Sequence, residues 1–175
     1  MLRGINVSGQ KKIRMADLRS LYESLGLLNV QTYVQSGNVV FDSAETDRAK
    51  LSEMIEAKIM VSYGFSVPVF IVDVAHLEQV IQTNPFTRQR NEDPAKLHVT
   101  FLQRPPLDEK LRAFVSPKSG DDEYFIGAQV VFLFCPDGYG RTKLTNNLFE
   151  QKLKVPATTR NWNTVNALVQ MAVER

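Results

Sequence analysis

The sequence predicts an α+β protein made of two ferredoxin-like halves, each reading β-α-β-β-α, with antiparallel sheets and helices packed on one face. Three observations predict it. Strand-like and helix-like periodicities alternate along the chain in an order that recurs in the second half. Turn signals fall between those runs. A nine-residue segment, Tyr33-Val-Gln-Ser-Gly-Asn-Val-Val-Phe41, also aligns without gaps on Tyr124-Phe-Ile-Gly-Ala-Gln-Val-Val-Phe132, with the tyrosine, both valines and the phenylalanine coinciding. An internal duplication follows from these together.

Residues 2–7 alternate imperfectly, because Gly4 intrudes, and read as a strand ending in a loop at Gly9. Apolar residues at Met15, Leu18, Leu21, Tyr22 and Leu25 have helical spacing, and Gly26 is a natural stop. Residues 30–35 and 38–42 are rich in Val, Thr, Tyr and Phe and meet across Ser36-Gly37, a hairpin signal. A second helix over about 45–63 places Leu51, Met54, Ile55 and Ile59 on one face. Residues 65–72 read as an apolar strand whose Pro68 suits an edge or a bulge. That order is the split β-α-β unit.

A short helix over 75–82 leads into a polar stretch, 84–95, carrying Pro85, Arg88, Arg90 and Pro94. The expected division is therefore a first subdomain over 1–83, a junction over 84–95 and a second subdomain over 96–175. The second begins with a strand at 96–103 and a helix at 107–115 after Pro105-Pro106. Strands at 123–126 and 129–134 follow, then helices at 144–153 and 161–173.

Composition limits the function. A hydrophobic share of 43% against 23% charged residues excludes a disordered chain. Twenty-one basic and 19 acidic residues give a net charge of +2, too balanced to imply nucleic-acid binding without local clustering. Cys135 is the one cysteine, which excludes an intrachain disulfide and a cysteine-based zinc site and fits a reducing compartment. No apolar run approaches the roughly 18 residues of a membrane span, and the first residues lack a signal-peptide pattern, so a cytoplasmic location is expected.

Leu2-Arg-Gly-Ile-Asn-Val7, Thr32-Tyr-Val-Gln-Ser-Gly-Asn-Val-Val-Phe41 and Ala157-Thr-Thr-Arg-Asn-Trp-Asn-Thr-Val165 together resemble the bacterial DUF1697 family of uncharacterised proteins. The resemblance runs over essentially the whole chain. It implies an α+β fold with ferredoxin-like subdomains and implies no activity. Members usually carry a few more residues before the Leu-Arg-Gly-Ile-Asn stretch, which here follows Met1, so the expectation is either a shortened first strand or a true start that lies elsewhere.

The candidate binding residues are Arg3, Asn6, Lys12, Gln35, Ser36, Asn38 and Arg160. Arg3 and Asn6 sit in the first strand, and Lys11, Lys12 and Arg14 fill the loop before the first helix, whose free N–H groups suit an anion. Gln35-Ser-Gly-Asn38 reads either as turn chemistry or as a set of amide and hydroxyl groups offered to a ligand. In Thr158-Thr-Arg-Asn-Trp162, Thr159 or Asn161 can cap the last helix. Arg160 then suits either a phosphate or carboxylate ligand or a buried ion pair.

Asp137-Gly-Tyr-Gly-Arg-Thr-Lys143 precedes a helix without matching the phosphate-loop pattern. His76 and His98 stand outside any metal-spaced motif, Cys135 reads as a small hydrophobe, and no nucleophile, metal set or cofactor motif emerges. Tyr33, Phe41, Tyr124 and Phe132 are the places where a base could stack, although burial is the expected fate of Phe41 and Phe132. The leading expectation is a binding protein for a small anionic or phosphorylated ligand. A nucleic-acid-binding module and an enzyme acting on a phosphorylated metabolite are the alternatives.

Overall fold

The structure is a computed structural model that describes residues 1–7, 9–118 and 120–174. It is a mixed α+β fold with two antiparallel sheets, and it divides into two compact units. Unit 1 comprises residues 1–74 and 168–175, and unit 2 comprises residues 75–167.

Unit 1 carries α1 (Met15–Glu23), the hairpin β1 (Leu28–Tyr33) and β2 (Asn38–Asp42), and α2 (Arg48–Tyr63). Asp47 starts α2 by accepting from the N–H groups of Ala49 and Lys50, and Gly64 ends it at φ +75°. Leu51, Ile55 and Ile59 of α2 meet Leu18, Leu21 and Tyr22 of α1 in one core with Leu2, Ile5, Val30, Val67 and Val69. Each fully buried aliphatic side chain there contributes about 1.5–3 kcal/mol.

The strands expected over 2–7 and 65–72 shrink to a single antiparallel bridge, Leu2 with Val69, flanked by Arg3 N–H to Pro68 O (3.0 Å) and Phe70 N–H to Met1 O (2.8 Å). The reason is local. Pro68 has no N–H to give, and Gly4 (φ +71°) and Asn6 (φ +55°) take the chain out of the extended region. The pairing ends at Arg3, and the next residues become loop.

Unit 2 holds most of α3 (Val74–Thr83), then α4 (Pro85–Arg88), β3 (Leu97–Leu102), α5 (Asp108–Arg112), β4 (Glu123–Ile126), β5 (Val130–Phe134), α6 (Asn146–Leu153) and β6 (Ala157–Asn161). The last helix, α7 (Trp162–Val173), begins in it. The four strands form one sheet in the order β4-β5-β3-β6, every neighbour antiparallel. Sequence reading missed β6, and it missed α4 inside the stretch read as a polar junction. The Ala-Thr-Thr-Arg-Asn composition of β6 suggested helix capping, yet Thr158 and Arg160 alternate with Ala157 and Thr159 on opposite faces, and Val99 pairs with Arg160. Asn161 still caps α7, accepting from Thr164 N–H at 2.8 Å.

One face of this sheet, with Leu102, Val131, Leu133 and Ala157, packs against Phe149 and Leu153 of α6 and against Leu111 and Phe114. The expectation of helices on one face alone is corrected at the other. There α4 places Phe86 against Phe134 (6.0 Å between rings), and Arg90 lies over both rings while ion-paired to Glu92 and Glu123.

Three hydrogen bonds recur in the two units. Leu2 N–H donates to Gly37 O and Leu102 N–H to Gln129 O, both at 2.8 Å. Arg3 N–H donates to Pro68 O and Gln103 N–H to Pro156 O, both at 3.0 Å. Val69 N–H donates to a carboxylate oxygen of Glu56 at 2.7 Å, and Ala157 N–H to one of Glu150 at 2.8 Å. Val69 and Ala157 are also the bridge partners of Leu2 and Leu102.

This correspondence sets Gly37 against Gln129, one residue out of step with the ungapped alignment of Tyr33–Phe41 on Tyr124–Phe132. A one-residue slip exchanges the faces of a strand. Phe41 packs on Tyr22 of α1 (5.4 Å, edge to face), whereas Phe132 lies between Val131 and Leu133, which face α5 and α6, and so points the opposite way. The recurring hydrogen bonds and the ungapped sequence match therefore differ in register by one residue.

Candidate functional site

The Asn6 side chain ties together the loop that replaces the first strand of unit 1. Asn6 donates through Nδ2 to Ile13 O (2.9 Å) and Gln35 O (2.8 Å), and its Oδ1 accepts from Ile13 N–H (2.9 Å). Its own N–H reaches Lys11 O at 3.2 Å. Gly4, Asn6, Gly9 and Lys11 all take positive φ, which tightens the chain into a coil. Lys11 Nζ donates to Ser66 O at 2.6 Å and fastens the coil to the segment after α2.

Beside this loop is a cleft of about 540 Å³ lined by Asn6, Lys12, Arg14, Asp17, Gln35 and Tyr63, with Gly9 and Ile13. Lys12 and Gln35 are exposed. Arg14 is the residue that starts α1, and its side chain provides no cap, so the amides of the first turn are not met by it. It instead chelates Asp17 at 2.8 and 3.3 Å, which raises its already high pKa. With both ends solvated, the pair contributes little to stability. The Tyr63 ring stacks on Phe65 (5.8 Å, 29°). Its phenol is pushed up by burial and by the charge of Asp17, against a smaller opposite effect of Arg14, and stays protonated at neutral pH.

Of the seven sequence-derived residues, the cleft gathers Asn6, Lys12 and Gln35. Ser36 and Asn38 belong to the hairpin turn. Asn38 is fully buried and donates to Ser36 Oγ (3.0 Å) and Tyr33 O (3.1 Å), the turn-chemistry reading. Gly37 between them has φ +80°, and a Cβ there would lie 2.7 Å from Ile5 Cδ1 and 2.9 Å from Leu2 Cβ. Arg3 is half-buried on the bridge to Pro68.

Arg160 is in unit 2, on a strand and not at a helix start. It is 7% exposed, donates to Thr158 Oγ1 (2.9 Å) and Thr159 O (2.8 Å), and burial lowers its pKa to about 10. Asp17 and Tyr63 were missed by sequence reading. The i, i+3 spacing of Arg14 and Asp17 was the available signal for the first, while Tyr63 looked like a helix end.

Residues 1–132 match the family described as a protein of unknown function (DUF1697), more than half of the chain. The chain belongs to the DUF1697 family. A solved structure, that of the conserved bacterial protein SP0830 from Streptococcus pneumoniae, is similar to it with a TM-score of 0.72 and 29% identity, covering 98% of this chain and 96% of that one. No curated protein matches.

In unit 2 of this DUF1697 protein a group of polar side chains meets beside the sheet. Thr159 Oγ1 meets Thr100 Oγ1 (2.7 Å), Tyr139 Oη (3.1 Å) and Asn146 Oδ1, and the His98 ring stacks on Tyr139 at 4.8 Å. Burial lowers the pKa of His98 and raises that of Tyr139, so both are neutral at pH 7. Cys135 is fully buried and its thiol is pushed up to about 11 by burial, which makes it a poor nucleophile.

Among the described residues no group of three or more His, Cys, Asp and Glu is placed to hold a metal, and no helix is long and apolar enough to cross a membrane. Phe132 is buried, Phe41 is packed on Tyr22, and Tyr124 sits edge-on to Phe114. Those three rings do not form an exposed platform for bases.

Proposed function

We propose that this protein binds a small anionic or phosphorylated ligand in the cleft of unit 1. The observation that carries the reading is the meeting of Lys12 and Arg14 with the first turn of α1 in one open cavity. The positive end of the α1 dipole favours an anion, and the two cations Lys12 and Arg14 outweigh Asp17. Asn6 serves as the clasp that shapes the loop, and Gln35 offers an exposed amide at the rim. Arg160, in unit 2, serves as an internal hydrogen-bond donor to its own strand in this reading. A cytoplasmic setting belongs to the same reading, with Cys135 buried and unreactive.

We also infer that both units derive from one ferredoxin-like β-α-β-β-α-β unit. The three recurring hydrogen bonds support this, as does the element order of unit 2.

A thermal-shift series with phosphate, pyrophosphate and sugar phosphates tests the ligand reading. A compound at a hundred times its dissociation constant stabilises the fold by about 2.7 kcal/mol. The expected result is a shift in the wild type that is reduced in a folded Lys12→Ala/Arg14→Ala variant. An equal shift in both proteins, or none with any anion, contradicts the reading.

A further inference from the structure

The cleft is larger than an anion alone requires, and its lining is not uniformly polar. Its volume of about 540 Å³ falls within the range of roughly 300–1,000 Å³ typical of sites for organic ligands. Lys12 and Arg14 bring positive charge to it. Tyr63 brings an aromatic ring, which its stack on Phe65 holds in place. Asp17 and Gln35 add an acceptor and an amide suited to hydroxyl groups or ring edges. Cations, an aromatic ring and amide groups in one cavity are the set that recognises a planar heterocycle carrying a phosphate, with the ring stacked and the phosphate neutralised.

We propose that the ligand class is a mononucleotide or a closely similar phosphorylated heterocycle, with Tyr63 as the residue that selects the ring. This rests on the anion-binding reading of the same cleft and narrows it. The phenol of Tyr63 is protonated at neutral pH, so it adds no negative charge against the phosphate.

Isothermal titration of the full chain with AMP, UMP and ribose 5-phosphate separates the two levels. The expected result is that at least one nucleotide binds roughly tenfold more tightly than ribose 5-phosphate. Tyr63→Phe keeps that preference, and Tyr63→Leu abolishes it, so that the nucleotides bind no more tightly than ribose 5-phosphate does to the same variant. Ribose 5-phosphate binding as tightly as both nucleotides overturns the ring assignment and leaves the anion site standing. No binding of any of the three, with phosphate and pyrophosphate also silent, overturns both. Should Tyr63→Leu fail to fold, saturation transfer from the Tyr63 ring protons to the bound base in the wild type replaces it. Absence of transfer contradicts the proposal.

Discussion

Unit 1 and unit 2 share two backbone hydrogen bonds and one N–H to carboxylate bond, and differ around them. In unit 2 the central strand β3 runs for six residues with antiparallel partners on both sides, and the polar side chains His98, Thr100, Tyr139 and Thr159 meet one another inside. In unit 1 the equivalent pairing stops at Arg3, and the chain coils through four positive-φ residues. The coil leaves a cleft with Lys12, Arg14 and the start of α1 beside it. In unit 2 the hydroxyls of Thr100, Tyr139 and Thr159 bond one another, whereas in unit 1 Lys12 and Gln35 stand exposed at the cleft. A strand pairing that breaks off early is a physical pointer to function, because a broken ladder costs stability that regular pairing would supply.

The largest expected effect concerns the turn that supports the coil. Gly37→Ala combines left-handed strain with a clash against Leu2 and Ile5, and destabilises by about 3 kcal/mol in urea unfolding. Gly138→Ala in unit 2, at φ +91° with open space around it, costs about 1 kcal/mol. Equal losses would contradict the close packing of the hairpin turn on the first residues.

Next in size is a test of the shared scaffold. Glu56→Ala and Glu150→Ala each leave a strand N–H without its acceptor, at about 1–2 kcal/mol apiece. Similar losses sharpen the equivalence of the units. A cost in one and none in the other would break it.

The smallest effect is in pH dependence. Burial depresses the pKa of His98 in the folded state, so below pH 6.5 the unfolded chain takes up the proton that the folded chain refuses. Stability from this residue is fully present above pH 6.5 and declines as the pH falls below it. Because the ring is only half-buried, the decline is less than about 1 kcal/mol between pH 7 and pH 5. His98→Phe, which keeps a ring against Tyr139, is expected to flatten the profile over that range. An unchanged slope would show that His98 is not the group responsible.

Much of this architecture was legible in the sequence because periodicity reports burial. Leu18, Leu21 and Tyr22 mark α1, Leu51, Ile55 and Ile59 mark α2, and β4 was read with its observed bounds. β6 was not legible, since a buried Thr158 and Arg160 on a short strand carry no hydrophobic signal. Nor were the shortened pairings at Leu2 and Val69, because backbone partners separated by 67 positions leave no local trace. Lys12 and Gln35 were readable as loop polar groups. Tyr63 was not, because only the return of α2 brings it beside the loop of Asn6. Arg160 was placed at a helix start because its segment reads as capping, and it lies on a strand.

The proposed binding surface is the broken strand end of unit 1. An amide-resolved NMR titration of the wild-type chain with AMP and with pyrophosphate tests it most directly. The account predicts saturable shifts at Asn6, Lys12, Arg14, Asp17, Gln35 and Tyr63, with unit 2 unmoved. Saturable shifts confined to unit 2, around Tyr139, Asn146 and Thr159, would contradict it.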